Sequence, residues 1–248
     1  TAPEYQDRKQ IAEIETATLA IIAAAKESLY IESQYFASRR IARAIAKRLE
    51  EPDGPEIVII NPETADGWLE AKTMDSARIR MMKLVREADR HDRFRIFYPV
   101  NEAETSIYVH AKLMIADDRI LKIGSANLNN RSMGYDTECD VIIEAGEDQA
   151  ELRQSILRER QGLLAEHLAR TPEEIEEALR ATNGSLIGLI DRLNRDHGRG
   201  LRPIEMRELT ADEEMVAESD VTDPERPAGV DYSPSHFLRR KFRRKAVV

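Results

Sequence analysis

Six residues able to do chemistry stand at fixed intervals in one short stretch: His110, Lys112, Asp117, Gly124, Ser125 and Asn127. Lys112 offers positive charge to phosphoryl oxygens, while the Asn127 amide and the Ser125 hydroxyl are neutral donors for the same oxygens. Donors held ready where charge develops are often the largest catalytic term. A neutral His110 can attack phosphorus, and its imidazolium can protonate a leaving alkoxide. The set therefore suits a phosphodiester. No second His, Cys or carboxylate stands at a metal-ligand spacing from His110, so the pattern calls for no metal and no other cofactor.

The elements that must position these groups read as a hairpin. The alternation over residues 106–115 predicts a strand, on which His110 and Lys112 share a face about 6.6 Å apart. Val109, Ala111, Leu113 and Ile115 then point into a core. Asp117-Asp118-Arg119 gives a turn signal, Ile120 to Ile123 a second strand, and Gly124 ends its apolar run. A hairpin of this kind brings Ser125 and Asn127 beside His110 and Lys112. An earlier strand, residues 29–36, carries Glu32 and Gln34 two apart. They read either as lining the same pocket or as the polar outer face of an edge strand.

Around the hairpin, helical spacing over 10–26, 38–50 and 67–89 alternates with apolar strands at 57–60, 94–98 and 139–143. Ala145-Gly146-Glu147-Asp148 is expected to start a helix running to about residue 168. Thr171-Pro172-Glu173-Glu174 is a helix-start signal, and short helices continue to about Asn194. This alternation predicts an α/β fold, a mixed sheet flanked by helices on both faces. It divides into a lobe over 5–197 and a polar, extended arm over 198–248.

The 248 residues are 42% hydrophobic and carry a net charge of −9. That content supports a real core, and the charge speaks against a general nucleic-acid-binding surface. The single cysteine, Cys139, excludes an internal disulfide. No stretch approaches the ~20 apolar residues of a membrane span. The last residues are basic: Arg239, Arg240, Lys241, Arg243, Arg244 and Lys245 read as a contact for an anionic membrane surface, as the flank of a membrane segment beyond residue 248 in a longer protein, or as a solvated tail.

The motif His110-Ala-Lys112 … Asp117 … Gly124-Ser125-Ala-Asn127 resembles the HxKxxxxDxxxxxxGSxN signature of the phospholipase D superfamily. The likeness extends to Tyr108–Asp118, to Gly124–Met133 and to Tyr30-Ile31-Glu32-Ser33-Gln34-Tyr35-Phe36. The last is similar to the strand that opens the C-terminal half of those lipases, with Ser33 where they have Asn. Asp223-Pro224-Glu225-Arg226-Pro227 is similar to a segment near the end of some bacterial members. The resemblance implies a phospholipase D-like lobe and double displacement through a phospho-His intermediate on a glycerophospholipid. It implies that Glu138 holds the second nitrogen of His110 and that Asp117, though a motif residue, has a more structural role.

That chemistry needs two such motifs, and this chain has one. His91, His167, His197 and His236 stand in no comparable context. The resemblance implies a second lobe, either the N-terminal half of the same protein or a second copy as a homodimer. The missing initiator Met fits the first. Alternatives are a nuclease-like or cardiolipin-synthase-like homodimer, or a lipid-binding lobe without catalysis. The expected location is the cytoplasm or the periphery of the cytoplasmic membrane.

Overall fold

The structure is a computed structural model that describes residues 1–3, 7, 9–67, 71–211, 213–214 and 223. Its strands are β1 (Ser28–Ser33), β2 (Glu56–Ile60), β3 (Phe94–Val100), β4 (Lys112–Ala116), β5 (Ile120–Gly124), β6 (Asp140–Glu144) and β7 (Gly200–Pro203). They form one mixed sheet in the order β6-β5-β4-β1-β2-β3-β7. The pairs β1–β2 and β2–β3 are parallel; the rest are antiparallel.

The inner strands read as near-continuous apolar runs because both their faces are covered. Alternate side chains go to opposite layers. Leu29, Ile31, Ile57, Ile59 and Ile96 pack on one side, and Tyr30, Val58, Ile60, Phe97 and Ile115 on the other. The first layer is covered by α1 (Glu13–Ala24), α2 (Arg39–Glu50) and α3 (Ser76–Ala88), whose Ile14, Ile21, Ile41, Ile45, Leu49, Met82 and Val85 recur at helical spacing. The second is covered by α5 (Ala150–Leu168), α6 (Pro172–Ala181) and α7 (Leu186–Leu193), through Ile156, Leu164, Leu168, Ile175, Leu189 and Ile190. A short helix, α4 (Asn130–Gly134), follows β5. The helix-start signal at Thr171 forms a capping box with Glu174, with Pro172 in the first turn.

Two expectations change. Residues 106–111 are not strand. The neighbours of the connection from β3 to β4 lie two strands apart, with β1 and β2 between them. The segment first follows β3, where Ile107 N–H donates to Pro99 O at 2.8 Å, and then crosses to β4. The start of the C-terminal arm is not peripheral. Gly200–Pro203 is the edge strand beside β3, and Leu201 is fully buried. Residues 224–248, the basic end among them, lie outside the described residues.

The β4–β5 turn is fixed by ions rather than apolar contact. Asp117 accepts the backbone N–H groups of Lys26, Glu27 and Ser28 at 2.9, 2.8 and 3.0 Å. Asp118 meets Arg160 of α5 through two bonds of 2.6 Å. Asp117→Ala leaves three amides at the start of β1 without an acceptor. It is expected to lower stability by about 1–3 kcal/mol, read as a lower urea midpoint at unchanged slope.

Candidate functional site

The carboxyl ends of β1, β2 and β3, the start of β4, the end of β5 and the start of β6 lie along one edge of the sheet. Open α/β sheets bind ligands at such an edge, where the strand order reverses. The crossing segment carries His110 over it, with the residue exposed. Lys112, first residue of β4, donates from Nζ to His110 O at 2.9 Å and to Gln34 Oε1 at 3.1 Å. Asn127 Nδ2 donates to the same Gln34 oxygen at 3.3 Å. Lys112, from β4, and Asn127, from the segment that follows β5, thus converge on one acceptor.

Gln34 holds this convergence from behind. Its Nε2 donates to Tyr35 OH at 2.9 Å and to Tyr108 OH at 2.8 Å. Tyr108 OH also accepts from Asp66 N–H at 3.3 Å. The Tyr108 ring stacks with that of His110, centroids 6.5 Å apart and planes 21° from parallel. Asn127 is buried, and its Oδ1 has no hydrogen-bond partner among the described residues. An unmet buried acceptor is costly, so this side chain is poised for a further ligand.

Ser125 sits at the other flank. Its hydroxyl donates to the Glu138 carboxylate and accepts from Cys139 N–H at 3.0 Å. Ser125 and Ala126 N–H groups both donate to Asp140 Oδ1, at 3.0 and 3.1 Å. This close approach explains Gly124, where a Cβ would collide with the Asp140 carboxylate and the Cys139 carbonyl.

The structure thus gathers His110, Lys112, Gln34, Ser125, Asn127 and Glu138 at one edge. Glu138 meets Ser125 rather than His110. Asp117 lies at the opposite end of the hairpin, on the backbone of β1, so it does not touch a ligand held here. Glu32 does not share the pocket with Gln34. The strand ends at Ser33, and Glu32 turns to the other layer, accepting from Tyr30 OH at 2.5 Å and meeting His167 Nε2 at 3.0 Å. Tyr108, Tyr35 and the pair Lys122–Asp140 were not read from the sequence as parts of the site. Lys122 alone left a signal, a charge inside an otherwise apolar strand. Among the described residues no group of three or more His, Cys, Asp or Glu is placed to hold a metal ion.

Residues 18–159, more than half of the chain, match the family described as "Cardiolipin synthase, PLD-like domain". This chain belongs to the phospholipase D superfamily. Phospholipase D zeta 2 of Arabidopsis thaliana is 38% identical over 101 residues, 34% of this chain and 10% of that protein. Phospholipase D of Phytophthora infestans is 27% identical over 172 residues, 53% of this chain and again 10% of the relative. The chain therefore spans about a tenth of the length of these relatives. Among solved structures, phosphatidylserine synthase of Haemophilus influenzae Rd KW20 aligns at a TM-score of 0.49 and 18% identity, over 73% of this chain and 46% of its own. Nuc of Salmonella typhimurium aligns at 0.45 and 19%, over 60% and 84%.

Within this phospholipase D-like site, burial pulls the Lys112 ammonium below its usual 10.5, while the charge of Glu138 acts in the opposite sense. Folding thus weakens proton binding here, so the contribution of Lys112 to stability is poorest below the depressed value. It recovers as pH rises from that value towards 10.5. Lys112→Met is expected to raise the melting temperature at neutral pH while weakening binding of an oxyanion such as tungstate. The gain in melting temperature shrinks at alkaline pH. Thermal melts across pH and a tungstate titration check both.

Proposed function

We propose that this chain supplies one half of a phospholipase D-type active site acting on glycerophospholipid phosphodiesters. The observation that carries the reading is the convergence of Lys112 Nζ and Asn127 Nδ2 on one point beside His110. A cationic and a neutral donor aimed together suit the non-bridging oxygens of a phosphoryl group. Ser125 adds a hydroxyl at the flank.

One histidine attacks phosphorus, a P–N bond forms, and the P–O bond to the leaving alcohol breaks. The second histidine, as imidazolium, gives that alcohol its proton. Now neutral, it takes a proton from water or an acceptor alcohol, whose oxygen attacks phosphorus and releases the first histidine. Hydrolysis and phosphatidyl transfer differ only in that acceptor. Two easier steps replace one hard one. By analogy with two-motif lipases, His110 is the acid/base member; in a homodimer it could take either role.

The companion lobe brings the other histidine. The first-choice source is the N-terminal half of the same polypeptide, in keeping with the small share of its relatives that the chain spans. An uncovered apolar corner supports a seat for it. Ile123 is 48% exposed, Val141 56% and Ile143 38%, on one face of edge strand β6 and its neighbour, and they run directly on from Glu138–Asp140. A bare apolar edge of this kind calls for a cover. Among the described residues no helix is long and apolar enough to cross a membrane. Contact with an anionic membrane surface is proposed through Arg239, Arg240, Lys241, Arg243, Arg244 and Lys245, at about 1 kcal/mol each.

The test is phosphatidyl transfer to a primary alcohol, with His110→Ala as control. The chain alone is expected to be inactive. Adding an N-terminal lobe with the second motif is expected to restore turnover, and His110→Ala to cut it by about 10² to 10⁴-fold. Val141→Asp is expected to raise the lobe concentration needed for half-maximal turnover. Turnover by the chain alone that vanishes in His110→Ala would establish the homodimer instead. Lipid binding without turnover, indifferent to His110→Ala, would establish a non-catalytic lobe.

A further inference from the structure

Lys122 lies in the middle of β5, and its side chain is 3% exposed. Its ammonium meets Asp140 Oδ2 at 2.5 Å, and the Asp140 side chain is 2% exposed. Taking both charges out of water costs several kcal/mol each, and a well-packed apolar pair of similar volume is often as stable or more so. Lys122 pairs across the sheet with Met114 on one side and Ile142 on the other, so the strand context favours an apolar residue here. Nor is the ion pair needed to hold β6, because the ladder from Ile120↔Glu144 to Gly124↔Asp140 already does so. The fold alone gives no reason to keep this pair.

The other oxygen of Asp140 does have a task. Oδ1 accepts both Ser125 N–H and Ala126 N–H, and Gly124 lacks a side chain where that carboxylate presses against the backbone. These contacts pin the backbone that leads from β5 through Ser125 to Asn127. With it pinned, Ser125 Oγ falls between Glu138 and Cys139 N–H, and Asn127 Nδ2 reaches Gln34. An ionised acceptor makes such bonds shorter and stronger than a neutral one. Lys122, in contact with the other oxygen of that carboxylate, offsets its negative charge so that little of it reaches an anion held by Lys112 and Asn127.

The geometry points to Asp140, neutralised by buried Lys122, as a positioning residue that fixes the Gly124–Asn127 turn and so aims Ser125 and Asn127 at the bound phosphoryl group. The assignment rests on the phosphodiester reading of the site. Asp140 touches no substrate; it acts through the two amides. Its effect is on anion binding and turnover rather than on the fold.

Two double variants of the full chain separate positioning from plain stability. Lys122→Met/Asp140→Asn removes both charges and keeps an oxygen for the two amides. Lys122→Met/Asp140→Leu removes the charges and the oxygen while filling the same space. Both are melted and titrated with tungstate. The expected result is that both fold, that the Asn variant binds within about threefold of the parent, and that the Leu variant binds at least about tenfold more weakly. Equal binding by the Leu variant and the parent overturns the assignment, and so does equal loss in both variants.

Hydrogen exchange of the Ser125 and Ala126 amides in the unmutated chain provides a check that requires no variant to fold. Protection well above that of exposed loop amides is expected, and exchange at the unprotected rate overturns the assignment. Absence of tungstate binding by the unmutated chain overturns the phosphodiester reading instead. In that case the exchange measurement still decides whether Asp140 fixes the turn.

Discussion

The strand order imposes one crossing that the rest of the site depends on. β3 and β4 follow each other in sequence but sit on opposite sides of the β1–β2 pair. The chain between them has to pass over the carboxyl ends of those two strands. His110 rides on that passage, and Lys112 stands where it lands. The same order places the end of β5 and the start of β6 on this edge, so Ser125, Asn127 and Glu138 arrive from the other direction. Gln34, just beyond β1, is the natural meeting point because β1 is the strand that divides the two halves of the sheet.

A second theme is how few charges are left to water at the places that matter. Asp117 is given to the backbone of β1, Asp118 to Arg160, Asp140 to Lys122 and Glu32 to Tyr30 and His167. Each carboxylate is matched before it is buried, as burial requires. Lys112 differs, since its Nζ meets the amide oxygen of Gln34 and a backbone carbonyl and only senses Glu138 at a distance. A cation so weakly matched is a poor contributor to the fold.

Much of this was legible in the sequence, for identifiable reasons. The helices of the first layer followed from Ile14, Ile21, Ile41, Ile45 and Leu49 at helical spacing, a helix of the second from the start signal at Thr171–Glu174, and the buried inner strands from Ile57-Val58-Ile59-Ile60. The hairpin followed from alternation and the Asp117–Arg119 turn. Alternation failed at 106–111, because a crossing segment can carry the pattern of a strand without a neighbour to pair with. The two readings of Glu32 and Gln34 stayed open for a related reason: period two puts them on one face only while the strand lasts, and it ends at Ser33. The hydroxyl bridge from Tyr108 to Gln34 and the carboxylate under Gly124 join residues 74 and about 16 positions apart. No local pattern reports such contacts.

The anchoring of Asp117 bears on how the chain reaches this state. The amides it holds lie 89 to 91 residues earlier in sequence. β1 likewise finds β2 nearby but must wait for β4 to cover its other side. Contacts between such distant segments come late, because a long loop has to close before they contribute anything. The most deeply buried strand of the sheet therefore spends the early part of folding with one bare edge. The β4–β5 hairpin, local and quickly made, is the piece that closes it.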